Sequence, residues 1–448
     1  MKGTYKKILH SLGMIIFIGA FICVSLYGIK AGANFGTKFQ KQKMADSYEV
    51  EVKETERAVS QISNPTQNLE PDTKETAKQN IPATKTVQPQ ADNPINDAFV
   101  PPAKTLSMQL IKRTGIVRPV AGKGIAGFNG DDQLGALQSS LSNPCAIAVD
   151  NLSALYILDK GNKRIRKVFA DGMITTLAGN GRSGMFQEGL VAEDFRFSDL
   201  QDIALSPEGT IYIIDSGFKR LLKMDDNRII STVAGGGRTP AQNGGAGVTT
   251  QLSLPTAVAT DRQGNIFIAD GTVILKINNR GRVNIELDLS KVSFIDSDMK
   301  NKDLTKAQIS SLAVNRSGDV FISDSYNNCV YKLNANNTLE NFAGCGPKHI
   351  HLKEPHGLTV DAADIVYLAD SGNNRVIKFA PSGTPVIIAD NDFDDVNGVI
   401  KSNNAGLNYP TGVAVNNRGE VYIADSRNNV VSKIFFGLNN EEIAGITQ

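Results

Sequence analysis

The chain has 448 residues, 41% of them hydrophobic and 21% charged, with a formal net charge of +1 at pH 7. So small a net charge supplies no global field to gather nucleic acid or an anionic membrane surface. Trp is absent and aromatics make up only 6%, which argues against a large aromatic cleft, while Cys23, Cys145, Cys329 and Cys345 are too few and scattered for a disulfide scaffold or a structural zinc site.

Residues 1–7 carry Lys2, Lys6 and Lys7 and are read as a short cytoplasmic N-terminus. Residues 8–29 hold no Asp, Glu, Lys or Arg, and Met14 to Ile29 is strongly apolar. At 1.5 Å per residue about 20 residues cross the roughly 30 Å hydrocarbon core, so this stretch is expected to be one transmembrane signal-anchor helix. Ala31-Gly32-Ala33 also fits a small-residue cleavage pattern. A retained anchor is favoured, because the apolar region is long for a signal peptide and Lys30 follows it. Lysines flank both ends and their asymmetry nearly cancels. The expected orientation has the N-terminus inside and the bulk exported, most simply from a bacterial inner membrane into the periplasm, with a cleaved, secreted form as second choice. Residues 30–112 read as a flexible linker: Ser63 to Pro94 is Gln, Thr, Pro, Asn, Glu and Lys with few large apolar side chains, too little to offset the entropy of ordering.

From 113 to 448 the chain repeats one sentence. Its clearest copy, Leu352 to Ala380, holds three strand-length apolar runs separated by Asp, Gly, Asn and Ser. The aromatic of the second run marks the phase at Tyr156, Tyr212, Phe267, Phe321, Tyr367 and Tyr422, giving steps of 56, 55, 54, 46 and 55 residues. A fourth run ending in a small-residue turn follows, as in Ile174 to Gly179, Ile230 to Gly235 and Leu339 to Gly344. Four antiparallel strands per unit, six times over, predict an all-β six-bladed propeller. Ile116 to Gly122 reads as a fourth strand with no blade before it, and Glu441 to Gly445 as another at the far end. If the N-terminal strand completes the last blade, the ring is zipped shut.

Three motifs carry a family resemblance: Pro410-Thr411-Gly412-Val413-Ala414-Val415, Gly264-Asn265-Ile266-Phe267-Ile268-Ala269-Asp270, and Asn162-Lys163-Arg164-Ile165-Arg166-Lys167. With the loop Gly127 to Asp132, they make the last three quarters of the chain resemble the NHL-repeat family of six-bladed propellers. That family includes amidating lyases, RNA and protein binders and extracellular heads of membrane proteins, so the resemblance implies a fold and leaves the activity open.

Each second strand ends in Asp: Asp159, Asp215, Asp270, Asp324, Asp370 and Asp425. An Arg five residues later predicts structural hairpin pairs Asp159–Arg164, Asp215–Arg220 and Asp370–Arg375. The innermost position of each first strand should ring the channel mouth: Cys145, Gln201, Thr256, Ser310, His356 and Thr411. The resemblance implies that the lyases hold zinc through Pro-His-x motifs on three blades. Here Pro355-His356-Gly357 matches once, and Thr256 and Cys145 stand in the companion blades. His349, His351, His356 and Cys145 are therefore the candidate metal ligands, for a divalent metal on the rim or at the mouth. Asp390 to Gly398 half-resembles a calcium loop but lacks Gly at its sixth position and Glu at its twelfth, where Lys401 stands. Cys329 and Cys345 flank the third and fourth strands of one unit, and an exported head permits a disulfide there. No Gly-x-Ser-x-Gly elbow, Walker loop or His-Glu-x-x-His motif occurs. The sequence thus favours a membrane-anchored binding module for a protein or glycan of the envelope, with no catalytic residue, no cofactor and no nucleic-acid partner. The competing expectation is a metal-dependent lyase or hydrolase at the mouth near His356.

Overall fold

The computed structural model describes residues 116–129, 131, 134–293, 299–300, 302–346, 349–390 and 406–436. The apolar run 8–29, the linker 30–112, the copy at 441–445 and the calcium-like loop beyond Asp390 lie outside the described residues. Among those described, no helix is long and apolar enough to cross a membrane.

Strand β1 (Ile116–Ala121) comes first. Blade 1 holds β2 (Pro144–Val149), β3 (Leu155–Asp159), β4 (Arg164–Val168) and β5 (Ile174–Ala178). Blade 2 holds β6 (Leu190–Val191), β7 (Leu200–Leu205), β8 (Ile211–Asp215), β9 (Arg220–Met224) and β10 (Ile229–Gly235). Blade 3 holds β11 (Gly245–Ala246), β12 (Pro255–Thr260), β13 (Ile266–Asp270), β14 (Val273–Ile277) and β15 (Arg282–Asp288). Blade 4 holds β16 (Ile309–Val314), β17 (Val320–Asp324), β18 (Cys329–Leu333) and β19 (Leu339–Ala343). Blade 5 holds β20 (Pro355–Val360), β21 (Val366–Asp370), β22 (Arg375–Phe379) and β23 (Pro385–Ala389). Blade 6 holds β24 (Pro410–Val415), β25 (Val421–Asp425) and β26 (Val430–Phe435).

The blades are six antiparallel sheets, and the last is ordered β1-β26-β25-β24. The N-terminal strand therefore zips the ring, with Val117 opposite Ile434 and Ala121 opposite Val431. Without it β26 would be an open edge.

The central strands read as continuous apolar runs because both their faces are buried. On β3, Leu155 and Ile157 pack into a cluster with Ala414, Tyr422 and Val431 of blade 6, whereas Tyr156 and Leu158 pack with Phe197, Ile203 and Ile213 of blade 2. The same alternation places an apolar cluster at every junction between neighbouring blades. The core is thus a ring of interfaces between sheets.

Each fourth strand slips register by one residue where it pairs with the third, as at Thr176/Ala178 against Arg166/Ile165 and Asn341/Ala343 against Tyr331/Val330. In blades 1, 2, 4 and 6 a glycine with positive φ follows, at Gly179, Gly235, Gly344 and Gly122. Gly179 has φ +92°, and a Cβ there would stand 2.4 Å from the carbonyl oxygen of Lys163. The bulge also decides the cysteines. It slides β19 along β18 toward Cys345, and Cys329 and Cys345 are disulfide-bonded with Cα atoms 5.1 Å apart.

Candidate functional site

The six first strands line a central cavity of about 860 Å³. All six predicted mouth positions, Cys145, Gln201, Thr256, Ser310, His356 and Thr411, lie on its wall. Most of them are engaged with the neighbouring blade. Thr256 Oγ1 donates to the Ile309 carbonyl at 2.7 Å, Ser310 Oγ to Pro355 at 2.7 Å, and Thr411 Oγ1 to Cys145 at 2.8 Å. The Cys145 thiol points to the carbonyls of Leu200 and Gln201 at 3.8 and 3.7 Å. The serines after the terminal Asp residues complete the circuit. Ser216 donates to Pro255, Ser371 to Pro410 at 2.5 Å, and Ser426 to Pro144 at 2.7 Å. Every junction is stapled by a side chain on a backbone carbonyl.

Gln201 and His356 depart from this pattern. Gln201 Nε2 donates to Asp199 Oδ2 at 2.7 Å, and Asp199 also holds Lys160 at 2.9 Å. His356 Nδ1 lies 2.8 Å from the Glu354 carbonyl oxygen. A carbonyl only accepts, so Nδ1 carries the proton and Nε2 is left as an acceptor. Burial lowers the imidazole pKa despite that carbonyl, which keeps the ring neutral at pH 7. The Tyr409 ring stands edge-on to His356 at 5.5 Å, and the Arg427 guanidinium lies 4.0 Å above the Tyr409 ring. The Tyr409 hydroxyl donates to Glu354 Oε2 at 2.8 Å, and burial, aided by that carboxylate, pushes its pKa up to about 12.

These residues do not fit a three-ligand zinc centre. The Cys145 thiol is turned toward the Leu200 and Gln201 carbonyls, and the Thr256 hydroxyl is already donated. His349 and His351 are not on the cavity wall, and among the described residues no group of three or more His, Cys, Asp or Glu could hold a metal ion.

The strand-terminal aspartates are structural, and the Arg pairing is only part of their role. Each accepts a backbone N–H from the chain entering its own blade: Ser142 to Asp159 at 2.7 Å, Ser198 to Asp215 at 2.8 Å, Ser253 to Asp270 at 2.8 Å, Gln308 to Asp324 at 3.0 Å, Lys353 to Asp370 at 2.7 Å and Asn408 to Asp425 at 2.8 Å. Of the three predicted pairs, Asp370–Arg375 forms at 2.7 Å. In blade 1 the pairing shifts to Arg166, 3.6 Å from Asp159, while Arg164 donates to the Asn162 and Asn180 carbonyls, both at 3.0 Å. In blade 2 Arg220 donates to Thr232 Oγ1 at 3.1 Å and stacks on Phe186, away from Asp215. The reason is the aromatic at the blade edge: Phe128 and Phe186 draw Arg164 and Arg220 onto their faces. Burial is the main cause raising the Asp159 and Asp425 carboxyls, each to about 6.

Sequence reasoning missed Lys160, Asp199, Asp202, Tyr409 and Arg427. Tyr409 sits one residue before the proline that starts β24, in the column of Asn143, Asp199, Leu254, Gln308 and Glu354. Reading that column would have placed it at the mouth.

Comparison with known proteins agrees with this architecture. The NHL repeat model matches residues 352–379 and 407–434, which lie on blades 5 and 6. The head is a six-bladed β-propeller whose blades 5 and 6 carry NHL repeats. The NHL head is similar to human teneurin-4, 25% identical over 349 residues covering 65% of this chain and 12% of that protein, and to mouse teneurin-3, 28% identical over 236 residues covering 46% and 8%. The chain thus spans only a small part of the length of the curated relatives it matches. An auxiliary nutrient binding protein from Bacteroides ovatus overlays the head with TM-score 0.51 at 14% identity, covering 73% of this chain and 78% of that one. At that identity the overlay shows the shared fold.

Proposed function

We propose that this NHL protein is a membrane-anchored, exported binding module of the cell envelope, with no catalysis of its own, whose propeller engages a protein or glycan partner. The observation that carries the reading is the mouth itself. Four of its six side chains, Cys145, Thr256, Ser310 and Thr411, are held by carbonyls of the next blade, so the wall is built for closure. The aromatic–cationic rim of Tyr409 and Arg427 is the surface best suited to a partner, since stacked rings and guanidinium groups dominate recognition hot spots. Export is supported by the apolar run 8–29 and by the Cys329–Cys345 disulfide, which belongs to an oxidising compartment.

The test uses the full chain in detergent, measured for metal content and for retention of envelope proteins and glycans. Saturable binding that Tyr409→Ala weakens at least tenfold supports the reading. A stoichiometric metal lost on His356→Ala with Cys145→Ala would overturn it in favour of a metal-dependent lyase or hydrolase.

A further inference from the structure

Among the described residues lining the central cavity, Asp202 on β7 is the one carboxylate. Its column in the other blades holds Ala146, Ala257, Ser311, Gly357 and Gly412, all small and uncharged. The Asp202 oxygens accept the N–H groups of Val258 in blade 3 and of Ile203, both at 2.9 Å. A carboxylate has about four lone-pair sites, so accepting capacity remains. None of the ion pairs found among the described residues involves it.

Its hydrogen bond to the next blade does not require a charge. Ser311 accepts the Leu358 N–H across the following junction but one, at 3.1 Å, with a neutral hydroxyl. A charge kept out of bulk water without a counter-ion is costly. Burial accordingly pushes the Asp202 carboxyl up to about 7, against the pull of its two backbone donors. The wall mixes polar groups such as Thr260, Ser311 and Thr359 with the aliphatic side chains of Leu205, Val258, Leu312, Val413 and Val415. Of the cavity's basic groups, Lys160 is neutralised by Asp199 and Arg427 sits on Tyr409.

We propose that the cavity takes an aliphatic primary ammonium, with Asp202 as its counter-ion and the aliphatic side chains of the wall beside its stem. The chemistry is that of a free alkylamine or of a lysine side chain on a peptide. The inference rests on the reading of this protein as a binding module. The titratable groups on strands packed against β7 are Cys145 on β2, Tyr156 and Asp159 on β3, and Tyr212 and Asp215 on β8; β12 carries none. Neither a thiol raised by burial nor a neutral phenol can replace the carboxylate as counter-ion at neutral pH.

The experiment measures n-butylamine, n-butanol and Nα-acetyl-lysine amide binding to the full chain by ligand-observed NMR at pH 8 and pH 5.5. The amine should bind about tenfold tighter than the alcohol at pH 8, as a charge-assisted hydrogen bond requires. The preference should fall away at pH 5.5, where Asp202 is protonated. It should also vanish in Asp202→Ser, which retains an acceptor for Val258 as Ser311 does for Leu358, and in Asp202→Asn as a second isosteric variant. Tighter binding of the lysine amide than of butylamine assigns the site to a peptide, and the reverse to a free amine. Equal affinity for amine and alcohol, or a preference that survives in a folded Asp202→Ser chain, overturns the proposal while leaving the binding-module reading intact. No binding of any probe while the chain still retains an envelope partner likewise refutes the cavity site alone; loss of both sinks the two together.

Discussion

Breaking the Cys329–Cys345 disulfide gives the sharpest test of the blade geometry. The bond closes a loop over a sequence separation of 16 residues, and both cysteines are fully buried. Loop-closure entropy for about 15 residues corresponds to roughly 3 kcal/mol at 25 °C. The double variant Cys329→Ala with Cys345→Ala should therefore lose about 3 kcal/mol in urea unfolding of the oxidised chain. The residual cavity left by two sulfur atoms pushes the loss upward. Because most of the stabilisation comes from the cross-link, the gap between wild type and variant should shrink to the cavity cost alone when both are unfolded under dithiothreitol. Thiol titration of the denatured, unreduced chain should find two free thiols, those of Cys23 and Cys145. Four thiols from material exported by the cell, or a variant within about 0.5 kcal/mol of the wild type, would refute the argument that the β19 bulge brings Cys345 to Cys329.

Gly179→Ala should destabilise by about 2–4 kcal/mol, since it adds left-handed strain to a Cβ 2.4 Å from the Lys163 carbonyl; a chemical denaturation curve overlaying wild type would contradict the close approach. Ser426→Ala removes the hydrogen bond to Pro144 that joins the last blade to the first, at 2.7 Å, and should cost about 1 kcal/mol in the same measurement. The Asp202 carboxyl is raised in the folded state from its ordinary value to about 7. Its contribution to stability is therefore fully present below pH 4 and lost as pH rises through 7. Asp202→Ser should gain stability relative to wild type as pH climbs from 4 to 8, and a pH-independent difference would show that the carboxyl is not perturbed.

The periodic aromatic phase markers were enough to predict six blades, because a blade is a local four-strand meander whose turns and apolar runs are written in sequence order. His356 was equally legible as the departure from a column of small polar residues. The Asp–Arg spacing is a partial guide: it holds at Asp370–Arg375. Spacing placed Arg164 and Arg220 beside their aspartates, but Phe128 and Phe186 from the blade edges stack on those guanidinium groups and draw them away.

What the sequence determined by itself is the repeat: strand order, turn chemistry and the burial of both faces of every central strand, all consequences of neighbours within about 50 residues. What only the tertiary structure decided is closure and the mouth. The pairing of β1 with β26, the carbonyl staples at each junction and the contact of Tyr409 with His356 all join residues of different blades, or of opposite ends of the chain. Asp202 belongs with them. On the strand it is one more residue between Gln201 and Ile203, and only the ring of six first strands places it on the wall of a cavity whose described basic side chains, Lys160 and Arg427, are engaged by Asp199 and Tyr409.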